Sequence, residues 1–330
     1  MMGRREFITL VGGAVAWPLA ARAQQPARLR RIGVLMIHAE GESEGQARVG
    51  AFRKQLADLG WFEGRNVQID YRWGVAEATR AQATAAELVA LAPDVIVANG
   101  TAATTAAQTA TRRIPVVFVV VTDPVGAGFV ESQARPGGNI TGFSTFEPEI
   151  GGKWLELLRE ITPGLRRVAG VLDPAFTGFA AVWRAVEELA PKAGLPVTTV
   201  VFRNSTDDLE GALASFAREP GGGLIVLPTA INNVARSRIF SITARHRLPA
   251  VYPFRHYAFD GGLMAYGFDP TDLFRRSAAY VDRILKGEDP ARLPVQAPAK
   301  FDFVINLNTA NALGLTVPPA LLATADKVIE

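Results

Sequence analysis

Arg31-Ile32-Gly33-Val34-Leu35-Met36-Ile37, followed by the helical pattern of residues 45–59, decides the fold class. Behind Arg31 the run is apolar without alternation, as a strand covered on both faces must be. In 45–59, Phe52, Leu56 and Leu59 recur at spacings of four and three, which is one face of a helix, and Gly60 stops it. The same unit repeats outward. Residues 67–73 alternate as a strand, the Ala-rich 76–92 is helical, 94–98 is a strand, 101–111 a helix, 115–121 a strand and 125–134 a short helix. Strand-helix alternation with short connections predicts a parallel sheet with helices on both faces.

The pattern then restarts. A helix over 149–161 carries Trp154, Leu155, Leu157 and Leu158, and strands at 167–172, 197–202 and 223–227 alternate with helices at 178–190, 206–217 and 230–246. Between the two runs, Gly138-Asn139-Ile140-Thr141-Gly142-Phe143-Ser144 reads as a crossover. The last third supplies a strand at 262–267, an amphipathic helix at 271–286, a linker marked by Pro290, Pro294 and Pro298, a strand at 301–306 and a short helix at 308–313. Such spare pieces suit a chain that passes back and forth between two bodies. The expected fold is α/β, with two doubly wound parallel-sheet lobes joined by hinge crossovers near 142–145, 266–269 and 299–303. One lobe takes 28–143 plus about 269–299, and the other takes 144–268 plus about 300–330.

Of the 330 residues, 48% are hydrophobic and 20% charged, as in a folded protein with substantial cores. The N-terminus reads as an export signal: Arg4-Arg5, an apolar stretch from Phe7 to Ala20, then the small-x-small site Ala21-Arg22-Ala23. Its apolar part is shorter than the roughly 20 residues a membrane span needs. Arg4-Arg5-Glu6-Phe7-Ile8 resembles a twin-arginine signal, although Gly3 stands where Ser or Thr is usual and no Lys follows. Loss of 1–23 removes Arg4, Arg5, Arg22 and Glu6 and takes the formal charge from +3 to +1. A near-neutral body argues against nucleic acid as a partner. Cysteine is absent, which suits an oxidising compartment such as the periplasm and excludes a thiolate zinc site or a Cys-linked lipid anchor.

In open parallel sheets a ligand sits beyond the carboxyl ends of the strands, where helices begin with free N–H groups and partial positive charge. Asn99-Gly100-Thr101-Ala102-Ala103 has that form: strand end, a Gly for close approach, helix start. An ordinary cap at Thr101 is the alternative. Asp123 is placed to pair with a ligand ammonium or to cap the next turn. Phe176 is placed to stack on a ring or to pack under its loop. Thr229, before Ala230, offers a hydroxyl at another helix start. Tyr252-Pro253-Phe254-Arg255-His256-Tyr257 is an aromatic cluster after a strand; Tyr252 and Phe254 are the candidates to line a pocket, with Tyr266 on a crossing strand. Glu40, Glu42 and Ser43 follow the first strand.

Motifs for chemistry are missing. Gly126-Ala127-Gly128 lacks the third Gly of a dinucleotide fingerprint, there is no Walker A lysine, and Phe143-Ser144-Thr145 is no nucleophile elbow. His38, His246 and His256 show no metal-ligand spacing, so neither metal nor cofactor is expected.

Three stretches carry a family resemblance: 114–118 continuing into 123–130, Ala134-Arg135-Pro136-Gly137-Gly138-Asn139-Ile140-Thr141-Gly142, and 304–315. With them the chain resembles ABC transporter substrate-binding proteins of the type I periplasmic-binding fold, in the branch that includes tryptophan- and tyrosine-binding members. The resemblance covers about residues 28–325. It implies a monomeric extracytoplasmic receptor that closes on an amino acid, aromatic ones included, or on a small carboxylate, and docks on the permease of an ABC importer. A LacI-type regulator shares this fold, but an export signal occupies the place of its DNA-binding helices. A periplasmic enzyme on the same scaffold lacks any catalytic motif here.

Overall fold

The computed structural model describes residues 29–75, 77–145, 147–173, 179–203 and 208–330; the signal over 1–23 and Phe176 lie outside them. The first sheet is built from β1 (Arg30–Leu35), β2 (Val67–Arg72), β3 (Val95–Asn99), β4 (Val116–Val121) and β5 (Ile140–Ser144), all parallel, in the order β2-β1-β3-β4-β5. Its helices are α1 (Ser43–Asp58), α2 (Ala78–Ala90) and α3 (Gly100–Ala110). Successive strand side chains point to opposite faces. Ile32, Val34, Val97 and Val119 therefore pack with Phe52 and Leu56 of α1, while Leu35, Ile96, Ala98 and Phe118 pack with Ala85, Leu88 and Ala103 of α2 and α3.

The second sheet holds β6 (Arg167–Leu172), β7 (Val197–Val201), β8 (Gly222–Val226), β9 (Ala250–Tyr252), β10 (Met264–Phe268), β11 (Phe301–Asn306) and β12 (Lys327–Ile329), in the order β12-β11-β10-β9-β8-β6-β7. It is parallel except that β11 runs against β10. Around it lie α4 (Ile150–Ile161), α5 (Ala180–Lys192), α6 (Leu209–Ala217), α7 (Ala230–Val234), α8 (Arg236–Arg245), α9 (Arg255–Phe259), α11 (Leu307–Leu313) and α12 (Pro319–Thr324). The remaining helix, α10 (Pro270–Leu285), returns to the first sheet and packs on α1, β4 and β5. Asp269 caps α10 by accepting from Thr271 N at 2.8 Å, with Pro270 in the first turn. This is the two-lobed parallel α/β fold that the sequence predicts.

The chain crosses between the sheets after β5, between β10 and α10, and between Gln296 and β11. The first and third passages are tied side by side: Gln296 bridges Phe143, and Thr141 Oγ1 donates to the Leu293 carbonyl at 2.6 Å. One apolar cluster runs through this region, with Phe268 and Leu273 joining residues of both lobes.

Three local expectations are corrected. Residues 125–134 form turns, not a helix; Gly126 and Gly128 are poor helix formers, and Gly128 takes φ +69°. The expected crossover at 138–144 contains β5, the edge strand of the first sheet. There Gly142 sits at φ +156°, where any Cβ would run into the Phe118 carbonyl. The helix expected over 230–246 is broken at Ala235 into α7 and α8.

Candidate functional site

The carboxyl ends of the two sheets face one another. Glu44, in the first turn of α1 just beyond β1, has its Oε1 3.4 Å from Nε2 of His256, on α9 just beyond β9. That contact spans the two lobes and fixes which strand ends line the gap. On the first lobe they are His38 after β1, Trp73 after β2, Asn99–Thr101 after β3, Thr122 and Asp123 after β4, and Thr145 after β5. On the second they are Asp173, Thr229 and Phe254, with Asp269 at the crossing from β10 to α10.

Glu44 belongs to a chain of polar contacts. Arg48 is buried, with 8% of its surface exposed; its Nη2 donates to Glu44 Oε2 at 3.3 Å and its Nη1 donates to His38 Nε2 at 2.7 Å. A guanidinium can only donate, so His38 Nε2 must be the unprotonated nitrogen. The proton then sits on Nδ1, which lies 3.0 Å from Glu42 Oε2. Burial, aided by Arg48, pushes His38 below the ordinary imidazole value. The hydrogen bond from His38, then that from Ala39 N, holds Glu42 below the usual carboxylate value. Burial also lowers the basicity of Arg48, against the pull of Glu44 and Asp269. On the second lobe His256 Nε2 also faces Asn233 Oδ1 at 3.0 Å, and its ring is stacked on Phe254 at 5.8 Å.

The anticipated residues fall out as follows. Asn99 is fully buried; its Nδ2 donates to the Val119 carbonyl at 3.3 Å, and its Oδ1 accepts no hydrogen bond among the described residues. Gly100 is buried at φ +79° and opens α3, while Thr101 and Ala102 are half-buried. Asp123 is exposed at φ +48°, and its Oδ1 accepts from Gly126 N at 2.8 Å, so its carboxylate closes the turn after β4. Thr229 is buried and caps α7, its Oγ1 accepting from Asn232 N at 3.3 Å. Tyr252 is a correction. Instead of lining the gap, its ring lies inside the second lobe, stacked on Tyr257 at 5.3 Å and meeting Phe240 edge-on, with 1% exposure. Burial raises its phenol far above the ordinary value. Phe254 is half-buried beside His256 and meets Phe268 edge-on. Tyr266, also half-buried, stacks on Phe301 at 5.6 Å where β10 and β11 pair, and its carbonyl accepts from Trp154 Nε1 at 2.7 Å.

Sequence reasoning missed Glu44, Arg48 and the role of His256. Their one local signal is the Glu44–Arg48 spacing of four on α1; nothing local announces a partner some 200 residues away. It also missed Asn232, whose Nδ2 donates to the Val171 and Leu227 carbonyls at 2.7 and 2.9 Å. No group of metal-ligating side chains occurs among the described residues, and none of their helices is long and apolar enough to cross a membrane.

Known proteins share this arrangement. The tyrosine-binding protein of Clostridioides difficile is 26% identical over 289 residues, covering 87% of this chain and 81% of that protein. A Streptococcus pneumonia ABC domain solved in complex with L-Trp superposes with TM-score 0.81 at 25% identity, covering 91% of this chain and 99% of the other. A conserved domain protein of Vibrio cholerae gives TM-score 0.82 at 28% identity, with 91% and 100% covered. The family model for ABC transporter substrate binding proteins matches residues 31–329. With two sheets crossed three times and their carboxyl ends facing over a charged gap, this chain belongs to the ABC transporter substrate-binding proteins.

Proposed function

We propose that this protein captures an aromatic amino acid between its lobes outside the cytoplasm and hands it to the permease of an ABC importer, without carrying out chemistry on it. The observation that carries the reading is the meeting of the two sheets' carboxyl ends at Glu44 and His256, which turns two separate strand-end rims into one enclosure. The ligand class is supported by the relatives, one named for tyrosine and one solved with L-Trp. The rim's chemistry suits such a ligand. The N-terminus of α3, at Gly100–Ala102, presents N–H groups to a carboxylate, and in the residue before it Asn99 Oδ1 has no partner among the described residues. Phe254 and Tyr266 supply half-buried rings.

Capture proceeds by hinge closure. The lobes divide as 28–143 with about 269–299, and 144–268 with about 300–330, and the three crossings bend between them. Closure is driven by contacts the ligand makes in the closed form and lacks in the open one. Export uses the N-terminal signal, cleaved near Ala23, and the receptor acts as a monomer. Calorimetry of the mature protein tests the ligand: L-tyrosine or L-tryptophan is expected to bind at one site per chain. Binding of a sugar or an inorganic anion in their place would refute the assignment. N-terminal sequencing of periplasmic protein tests the cleavage.

A further inference from the structure

We propose that Glu44 and His256 form a latch across the cleft that holds the lobes together at neutral pH and is released on acidification, with His38 as the trigger. The proposal rests on the hinge-closure reading and adds a regulator to it.

The geometry sets the sign. Arg48 donates to both His38 Nε2, at 2.7 Å, and Glu44 Oε2, at 3.3 Å. These two bonds aim the second Glu44 oxygen at His256. A proton added to His38 can only go on Nε2, since Nδ1 already carries one toward Glu42. That places an N–H of an imidazolium against an N–H of a guanidinium, two donors and two positive charges at hydrogen-bond distance. Arg48 must turn away, and Glu44 loses the group that positions it. Glu42 pulls the other way, but its side chain is 52% exposed and solvent weakens its hold.

His256 responds in the same direction. The charged groups around it are Glu44 and Arg48 from α1, Arg236 from α8 and Asp260 after α9, with Asn233 from α7. Asp260 is engaged by Arg236 at 2.7 Å. Burial opposes a second proton on His256 most strongly and Arg236 and Arg48 add to that, while Glu44 and Asp260 favour it. Burial is the largest influence on both rings and lowers both below the ordinary imidazole value. The neutral rings therefore belong to the closed form. Closure is fully supported above about pH 6.5, and that support is lost progressively as pH falls below it.

The absence of cysteine makes the test direct. Spin labels are attached to the mature full chain at Lys54→Cys on α1 and Ser237→Cys on α8, both exposed and on opposite lobes. Distances are read without ligand at about pH 7.5 and about pH 5.5, conditions that straddle the imidazole range. The expected result is a shift to longer distances in acid, with the open-to-closed ratio rising about fivefold. In the same background, His38→Gln keeps an acceptor for Arg48 and His256→Gln keeps a donor for Glu44, yet neither titrates. The doubly substituted protein is expected to hold one distribution at both pH values, and Glu44→Gln to shift toward the open distances already at neutral pH. A parent distribution unchanged by pH, or an unchanged pH response after both histidine substitutions, overturns the latch. L-tyrosine and L-tryptophan added at saturation separate the two ideas: movement with ligand but not with pH sinks the latch alone, and movement with neither sinks hinge closure as well.

Discussion

Each lobe places a buried asparagine near the carboxyl ends of its strands, and the two are used differently. Asn232, on the second lobe, is committed to structure: its amide donates at 2.7 and 2.9 Å to carbonyls at the ends of β6 and β8, tying those strands together. Asn99, on the first lobe, makes a single longer side-chain bond, at 3.3 Å to the Val119 carbonyl of β4, and its Oδ1 has no partner among the described residues, directly before the first turn of α3. A similar contrast holds for the rims as a whole. The first lobe's rim near β1 is charged, with His38, Glu42, Glu44 and Arg48 in one network. The second lobe's rim near β9 is aromatic, with the Phe254 and His256 rings stacked on one another over the buried Tyr257. One architecture thus carries two kinds of ending, one suited to polar ends of a solute and one to a ring.

That comparison can be broken by substitution. The largest effect is expected at Asn232→Ala, which removes two buried hydrogen bonds while Leu227 N and Thr229 N still donate to the Val171 and Leu227 carbonyls, and is expected to cost about 2 kcal/mol of stability. Urea unfolding checks it; a loss below about 1 kcal/mol would mean that water replaces the amide. Next comes Asn99→Ala, expected to cost about 1 kcal/mol in stability but more than about tenfold in ligand affinity by calorimetry. Equal affinity in the two asparagine variants would erase the division of labour. The smallest effect is expected at Tyr252→Phe, which removes a hydroxyl inside the second core: under about 1.5 kcal/mol in stability and no change in affinity. A clear loss of affinity there would put Tyr252 back among the ligand contacts.

How much of this the sequence carries depends on the range of the interaction. The run 31–37 and the face of Phe52, Leu56 and Leu59 declare β1 and α1 because both patterns are local consequences of periodicity. The strand at β5 is illegible because Gly142 there answers to the Phe118 backbone of a neighbouring strand, a tertiary demand that looks like a linker signal. Tyr252 and Phe254 are two residues apart, yet one is core and the other rim. A strand of three residues, Ala250–Tyr252, is too short for alternation to assign its faces. Asp123 has the composition of a ligand partner and the job of a turn, because its own backbone supplies the nearest donor at Gly126. The Glu44–His256 contact is illegible for a simpler reason: it exists only where two lobes meet.

The central claim is that one solute is enclosed between two lobes that move toward each other. Small-angle scattering of the mature protein, with and without saturating L-tyrosine or L-tryptophan, tests it most directly. The account predicts a smaller radius of gyration with the ligand that calorimetry shows to bind. Binding at one site per chain with no contraction would contradict it.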